Sequence, residues 1–361
     1  MDEAPSAPLD GFGWCCIPVP PSESYAHIVY EFCTLFDSAY LPRAVVLARS
    51  LAATCPSFCL RAFCMDEKAH ELLDALALPG VVSIGPGELE AADPELRSVK
   101  ARRTRAEYCW TATPAVCLQS LEREPVLEAI TYLDADLMFF ADPHAIFDEL
   151  GRGSILLTAH RHTRRRGQGA PPEGIFNVQF ITFRRDEHGL AALRWWRERC
   201  LERCELAPEE GVWGDQKYLD DWPERFGGVH VLEHPGALGP WNVASHALEQ
   251  QGESVLTDGV RLVFFHFTAF DLYRGLASLR RLGLLKRQLQ LAREPIPLVW
   301  ASGHPIADRE LDLLWAPYFC RLGEAIVDVR ALDPSFDAGI HTVGLLDAVR
   351  RARGRRARSE P

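Results

Sequence analysis

The run Ala129-Ile130-Thr131-Tyr132-Leu133-Asp134-Ala135-Asp136-Leu137-Met138-Phe139-Phe140 sets two carboxylates inside an otherwise apolar stretch. Its first half is rich in β-branched and aromatic residues and no helix start signal precedes it, so it reads as a buried strand. Asp134 and Asp136 are two apart, and on an extended chain their side chains leave the same face. Like charges there repel, and burying either alone costs roughly several kcal/mol. A divalent cation relieves both penalties. A metal-binding Asp-x-Asp at a strand end is therefore the sharp reading, since open α/β sheets bind ligands at that position. An aspartate pair that merely caps a turn is the plain one.

Upstream, strand-like and helix-like segments alternate. His27 to Phe36 reads as a strand, and a helix follows from Asp37 with Leu41, Ala44, Leu47, Ala48 and Leu51 on one face. Pro42 falls in its first turn, where a missing N–H is tolerated. Phe58 to Met65 is the next strand, Asp66 to Leu76 the next helix, Val81 to Ile84 a third strand, and Ala106 to Leu121 the helix before Asp-x-Asp. This order implies an α/β fold with a mostly parallel sheet covered on both faces. Further strands are expected at Ser154 to His160, Ile175 to Phe183, Val229 to Leu232 and Val260 to Phe267, with a helix from Asp186 to Cys204. The domain division is a disordered leader over 1–25, the α/β domain over 26–275, a helical C-terminal extension over 276–348 and a basic disordered tail over 349–361.

The 361-residue chain is 47% hydrophobic and carries a net charge of −11, so its body is not an electrostatic nucleic-acid binder. The eleven cysteines follow no zinc-ribbon pairing, and their odd number with no secretory signal points to a reducing cytoplasm. No apolar run approaches the length of a membrane span. The arginines between Arg350 and Arg358 suit either peripheral contact with an anionic membrane or a solvated end. Oligomeric state is not legible.

Four segments carry polar groups that packing does not need. His266 closes the apolar run Leu262 to Phe267, either as a hydrogen-bonded structural residue or as a third metal ligand. Carboxylates with one imidazole suit Mn2+ better than Ca2+, and Mg2+ is the alternative. The segment Gly214-Asp215-Gln216-Lys217-Tyr218-Leu219-Asp220 can start a helix and still leave Asp215 and Gln216 facing a cleft. Asn177, in the strand Ile175 to Phe183, can satisfy buried backbone or a sugar hydroxyl. The loop Thr34 to Tyr40 follows the first strand, where a nucleotide lies in folds of this type.

Tyr-Leu-Asp-Ala-Asp-Leu, Phe-Asn-Val, Gly-Asp-Gln and Phe-His-Phe occur in an order and spacing that resembles the retaining glycosyltransferases related to family eight. The resemblance runs from about Ile28 to Tyr273. It implies a GT-A fold and a nucleotide-sugar donor, with UDP-sugar favoured. It implies transfer of a hexosyl type to a glycan or lipid-linked acceptor, with retention, as in polysaccharide biosynthesis. It makes Asp134, Asp136 and His266 the ligands of Mn2+ or Mg2+, with Asp134 also at the donor diphosphate. Asp215 and Gln216 correspond to the catalytic pair lining the donor sugar, Asn177 to an asparagine contacting sugar, Asp37 and Tyr40 to the loop that holds base and ribose, and Tyr108 to a tyrosine of the nucleotide pocket.

The family's His-x-x-Gly-x-x-Lys reads here as His266-Phe267-Thr268-Ala269-Phe270-Asp271-Leu272, so the phosphate-binding lysine is replaced by Leu272. Another cation must then balance the diphosphate: Lys217, Arg274 or the Arg164 to Arg166 loop. Two rival readings remain. One is a haloacid-dehalogenase-like Mg2+ phosphatase, whose second motif Gly214 to Asp220 imitates. The other is a GT-A-like binding protein without turnover.

Overall fold

The computed structural model describes residues 29–162, 173–207, 210–274, 289–291, 298–302 and 306–341. The leader to residue 25, the loop Arg164 to Arg166 and the tail from 349 lie outside these residues. Strand β1 (Tyr30–Phe36) leads through α1 (Leu41–Thr54) to β2 (Phe58–Cys64), and α2 (Glu67–Leu76) leads to β3 (Val81–Ile84). Helix α2 begins after Asp66 because that carboxylate accepts the Ala69 N–H at 2.8 Å. The short helices α3 (Pro86–Ala92) and α4 (Pro94–Val99) precede α5 (Arg105–Arg123). A capping box closes the start of α5: the Thr104 hydroxyl accepts from the Glu107 N–H, and the Glu107 carboxylate accepts from the Thr104 N–H.

Next come β4 (Ala129–Leu133), β5 (Leu137–Phe139), α6 (His144–Leu150), β6 (Ile155–Ala159), β7 (Phe176–Arg184) and α7 (Glu187–Glu202). The hairpin β8 (Leu206–Ala207) and β9 (Val212–Trp213), helix α8 (Trp222–Arg225), β10 (Val229–Val231) and β11 (Ala237–Leu238) follow. The main sheet has seven strands in the order β10-β6-β7-β4-β1-β2-β3. Only β7 runs antiparallel to its neighbours β4 and β6, so the sheet is mostly parallel and mixed, as expected.

The long apolar run is not one strand. The Leu137 N–H donates to the Asp134 carbonyl at 3.2 Å, forming a tight turn, and β5 leaves for a second sheet ordered β11-β15-β5. The two aspartates thus converge through a turn rather than through strand alternation. A similar break divides Val260 to Phe267. Three short strands, β12 (Leu248–Gln251), β13 (Ser254–Thr257) and β14 (Val260–Arg261), form a meander before β15 (Phe264–His266) starts in the other sheet.

Beyond the site, β16 (Phe270–Arg274), β17 (Leu289–Leu291), β18 (Leu298–Ser302) and β19 (Ile340–His341) form a four-stranded sheet. These strands are too short and interrupted for apolar periodicity to announce them. The expected C-terminal helix is present: α9 (Asp308–Glu310) runs on through 311–315 into α10 (Ala316–Leu332). It packs on α1, which is buried on nearly every side. An all-round apolar helix belongs in the interior. Phe180 of β7 stacks on Phe264 of β15 with ring centroids 5.3 Å apart, joining the two sheets behind the Asp-x-Asp turn. Each ring buried there contributes about 2 kcal/mol. Among the described residues no helix is long and apolar enough to cross a membrane.

Candidate functional site

The turn after β4 opens into a cleft of about 500 Å³ at the carboxyl end of the parallel strands. Register delivers His266 to it: β15 pairs antiparallel with β5, setting His266 opposite Leu137, and the Phe267 N–H donates to the Asp136 carbonyl at 2.9 Å. His266 Nε2 lies 2.8 Å from Asp136 Oδ1 and 3.6 Å from Asp134 Oδ2. One ligand atom from each of the three residues falls within 4.8 Å of the others. Asp136 and His266 are buried, whereas the Asp134 side chain keeps 30% of its surface open.

The electrostatics call for a cation. Burial pushes Asp134 up to about 6, with His266 acting against the rise and Asp136 adding to it. Burial alone would lower His266, but the adjacent Asp136 charge and hydrogen bond, with Asp134, hold it above the ordinary value. Asp215 is pushed up to about 7, first by burial and then by the Asp134 charge. A carboxylate that resists ionisation, Asp134, set beside a second carboxylate and closed by an imidazole, is a donor set that a divalent ion satisfies. Asp134, Asp136 and His266 therefore fit a divalent metal ion.

Gly214 turns the chain that carries Asp215. Its φ is +53°, and a Cβ there would sit 3.2 Å from the Trp110 ring. The buried Trp196 indole donates to the Asp215 carbonyl at 2.9 Å, which fixes the turn from behind. Gln216 then opens a short 3-10 segment, Gln216–Leu219. Asn177, near the start of β7, reaches Gln216 through its amide at 3.4 Å.

Asp37, Tyr40, Asp134, Asp136, Asn177, Asp215, Gln216 and His266 all line the cleft. Two residues singled out by sequence do not. Tyr108 is buried on another face of α5, and its hydroxyl donates to Glu90 at 3.3 Å. Lys217 pairs with Asp220 at 2.6 Å. Asp220 also accepts the Ile175 N–H at 2.7 Å and is not among the residues that line the cleft. Of the other candidate cations, the Arg164 to Arg166 loop and the Arg274 side chain lie outside the described residues.

The cleft also holds residues that sequence reasoning missed. Arg105, Cys109 and Thr113 line it from α5 at a spacing of four, with Trp110 beside them. That spacing was a usable signal. Arg105 pairs with both Asp37 and Asp66. Buried Arg43 lies between the Tyr40 ring, 4.2 Å away, and the Phe270 ring, 4.4 Å away. Burial opposes its charge, but Tyr40, Tyr318 and Asp136 together hold its pKa above the ordinary value. Ala269 adopts φ +59°, so this chain keeps a left-handed residue where the motif it resembles has glycine.

No family model matches the chain. It is 31% identical over 314 residues to the uncharacterized protein YfnD of Bacillus subtilis strain 168, covering 86% of this chain and 94% of YfnD. It is 36% identical over 254 residues to the uncharacterized protein YfnF of the same organism, covering 66% and 81%. Among solved structures, mouse xyloside xylosyltransferase 1 aligns with a TM-score of 0.43 and 14% identity, over 66% of this chain and 97% of that one.

Proposed function

We propose that this chain, which belongs to the family of YfnD, is a metal-dependent glycosyltransferase. In this reading it takes a sugar from a nucleoside diphosphate, UDP favoured, and passes it to a glycan or lipid-linked acceptor. The observation that carries the reading is the convergence on one cleft of Asp134, Asp136 and His266 with Asp215, Gln216 and Asn177. Asp134, Asp136 and His266 would hold Mn2+ or Mg2+, which when bound supplies Lewis-acid stabilisation to the charge on a departing diphosphate.

The chain's own groups supply the rest. An anomeric carbon losing its leaving group becomes oxocarbenium-like, and oxygens of Asp215 and Gln216 favour that charge. Asp215 acts ionised, and a neighbouring cation lowers its proton affinity from the value of about 7 it has without one. Asn177 offers its amide to sugar hydroxyls. Trp110, which lines the cleft beside Gly214, presents a ring for a base. Retention and a place in polysaccharide synthesis follow from the motif resemblance, and cytoplasmic location from the odd number of cysteines. The domain division is kept with the C-terminal extension carrying strands β17, β18 and β19 as well as helix.

A thermal-shift titration with nucleoside diphosphates, with and without Mn2+, tests the proposal. A rise in melting temperature needing both ligands, and abolished in Asp136→Ala, is expected. Stabilisation by Mg2+ with beryllofluoride but by no nucleotide would sink it in favour of a phosphatase. Joint binding of metal and nucleotide with no donor ever consumed would leave a binding protein.

A further inference from the structure

Gln216 faces the cleft at one end of a hydrogen-bond chain whose directions the backbone dictates. The Gln179 N–H donates to Asn177 Oδ1 at 2.8 Å, so the opposite side of that amide is the donor. Gln216 Nε2 donates to the Glu173 carbonyl at 2.9 Å, so Gln216 Oε1 is the acceptor turned toward Asn177. Asn177 Nδ2 then has a second neighbour, His160 Nε2, at 3.1 Å. An amide N–H can be met only by a ring nitrogen without a proton. The His160 proton must therefore sit on Nδ1, and the ring must be neutral.

The surroundings hold His160 in this state. Its backbone N–H donates to the Ile175 carbonyl at 2.9 Å, and its carbonyl accepts from Asn242 Nδ2 at 3.0 Å. The ring stacks on His162 with centroids 4.7 Å apart and meets the edge of Trp241 at 5.2 Å. Burial and the neighbouring His162 hold its pKa at about 4, which keeps the ring neutral at pH 7. Nδ1 is buried with no hydrogen-bond partner among the described residues. A buried donor left unmatched calls for a reason beyond packing.

We propose that His160 is a positioning residue: as a neutral acceptor it takes the Asn177 N–H that Gln216 leaves over, and so steadies the Asn177 amide against the Gln216 oxygen in the cleft. Fixing that oxygen matters because a catalytic amide free to flip would offer N–H groups where a positive centre develops. His160 closes the apolar strand β6 as His266 closes β15, so two polar strand ends serve the two halves of the site.

The test has an arm that does not depend on turnover. In imidazole 15N spectra of labelled protein at pH 7, His160 should show a protonated Nδ1 and a bare Nε2, and Asn177→Ala should release that tautomer. A proton found on Nε2, or a tautomer indifferent to Asn177→Ala, overturns the proposal. The kinetic arm rests on the glycosyltransferase reading. His160→Ala should lower kcat by about tenfold or more while donor KM moves less than about threefold. His160→Gln, whose amide oxygen can accept from Asn177, should restore most of the rate. Equal losses in both variants, or a change in KM instead of kcat, would refute the positioning role. A wild-type protein with no turnover would sink the enzymatic reading, leaving the spectra to judge the hydrogen-bond chain.

Discussion

Asp215→Asn removes a buried charge while keeping the shape of the side chain. Asp215 titrates at about 7 in the folded protein against 3.8 in a free chain. Between those values the folded state binds the proton and the unfolded state does not, so stability falls as pH rises through the window. From pH 4 to pH 8 the loss amounts to about 4 kcal/mol, since each tenfold difference in proton affinity between the two states is worth about 1.4 kcal/mol. The sign is opposite to that of a salt-bridged carboxylate. Urea denaturation of the metal-free protein at half-unit pH intervals measures it. The wild type should lose stability across the window, and Asp215→Asn should show a profile flatter by about the same 4 kcal/mol. Saturating Mn2+ should reduce the difference, because a cation near Asp134 favours the ionised form. Parallel pH profiles for the two metal-free proteins would refute the assignment of a buried, proton-holding Asp215.

Asp93→Ala should cost about 3 kcal/mol in urea denaturation, because Asp93 caps α4 and receives Arg197 Nε at 2.7 Å. Ala269→Gly should stabilise by roughly 1 kcal/mol, as Ala269 bears a left-handed φ of +59°; a loss of stability would count against strain at that turn. Trp110→Ala should raise donor KM by about tenfold while Tyr108→Phe moves it less than about twofold, as Trp110 lines the cleft and Tyr108 bonds Glu90. The reverse ranking would restore Tyr108 to the nucleotide pocket.

The central β-α-β order was legible because each strand is a short apolar run and helix starts are signalled, by Pro42 in the first turn of α1 and by capping residues elsewhere. Asp66 and Thr104 mark two such starts by accepting backbone N–H groups. The breaks at Asp134 to Leu137 and at Leu262 were not legible, since both halves of each run are apolar and only the partner sheet differs. That Asp134, Asp136 and His266 belong to one cluster was legible because polar groups ending buried strands are costly without a partner. The same rule would have found His160, which closes β6. Tyr108 was misplaced because one residue along a helix is a rotation of about 100°, and its neighbours Cys109 and Trp110 took the cleft face. Lys217 was misplaced because the acid that claims it, Asp220, is three residues away in the same short segment.

The proposed ligand set spans a wide gap in the chain: Asp136 and His266 are 130 residues apart. During synthesis Asp134 and Asp136 leave the ribosome long before β15 exists to carry His266 into place. At about 5–20 residues per second that interval lasts roughly 7–26 seconds. An ion held by all three side chains can be captured only after β15 has zipped onto β5. Occupancy of the site is thus a marker of completed assembly, and a nascent chain stopped short of residue 266 would carry two crowded carboxylates with no imidazole to close their cage.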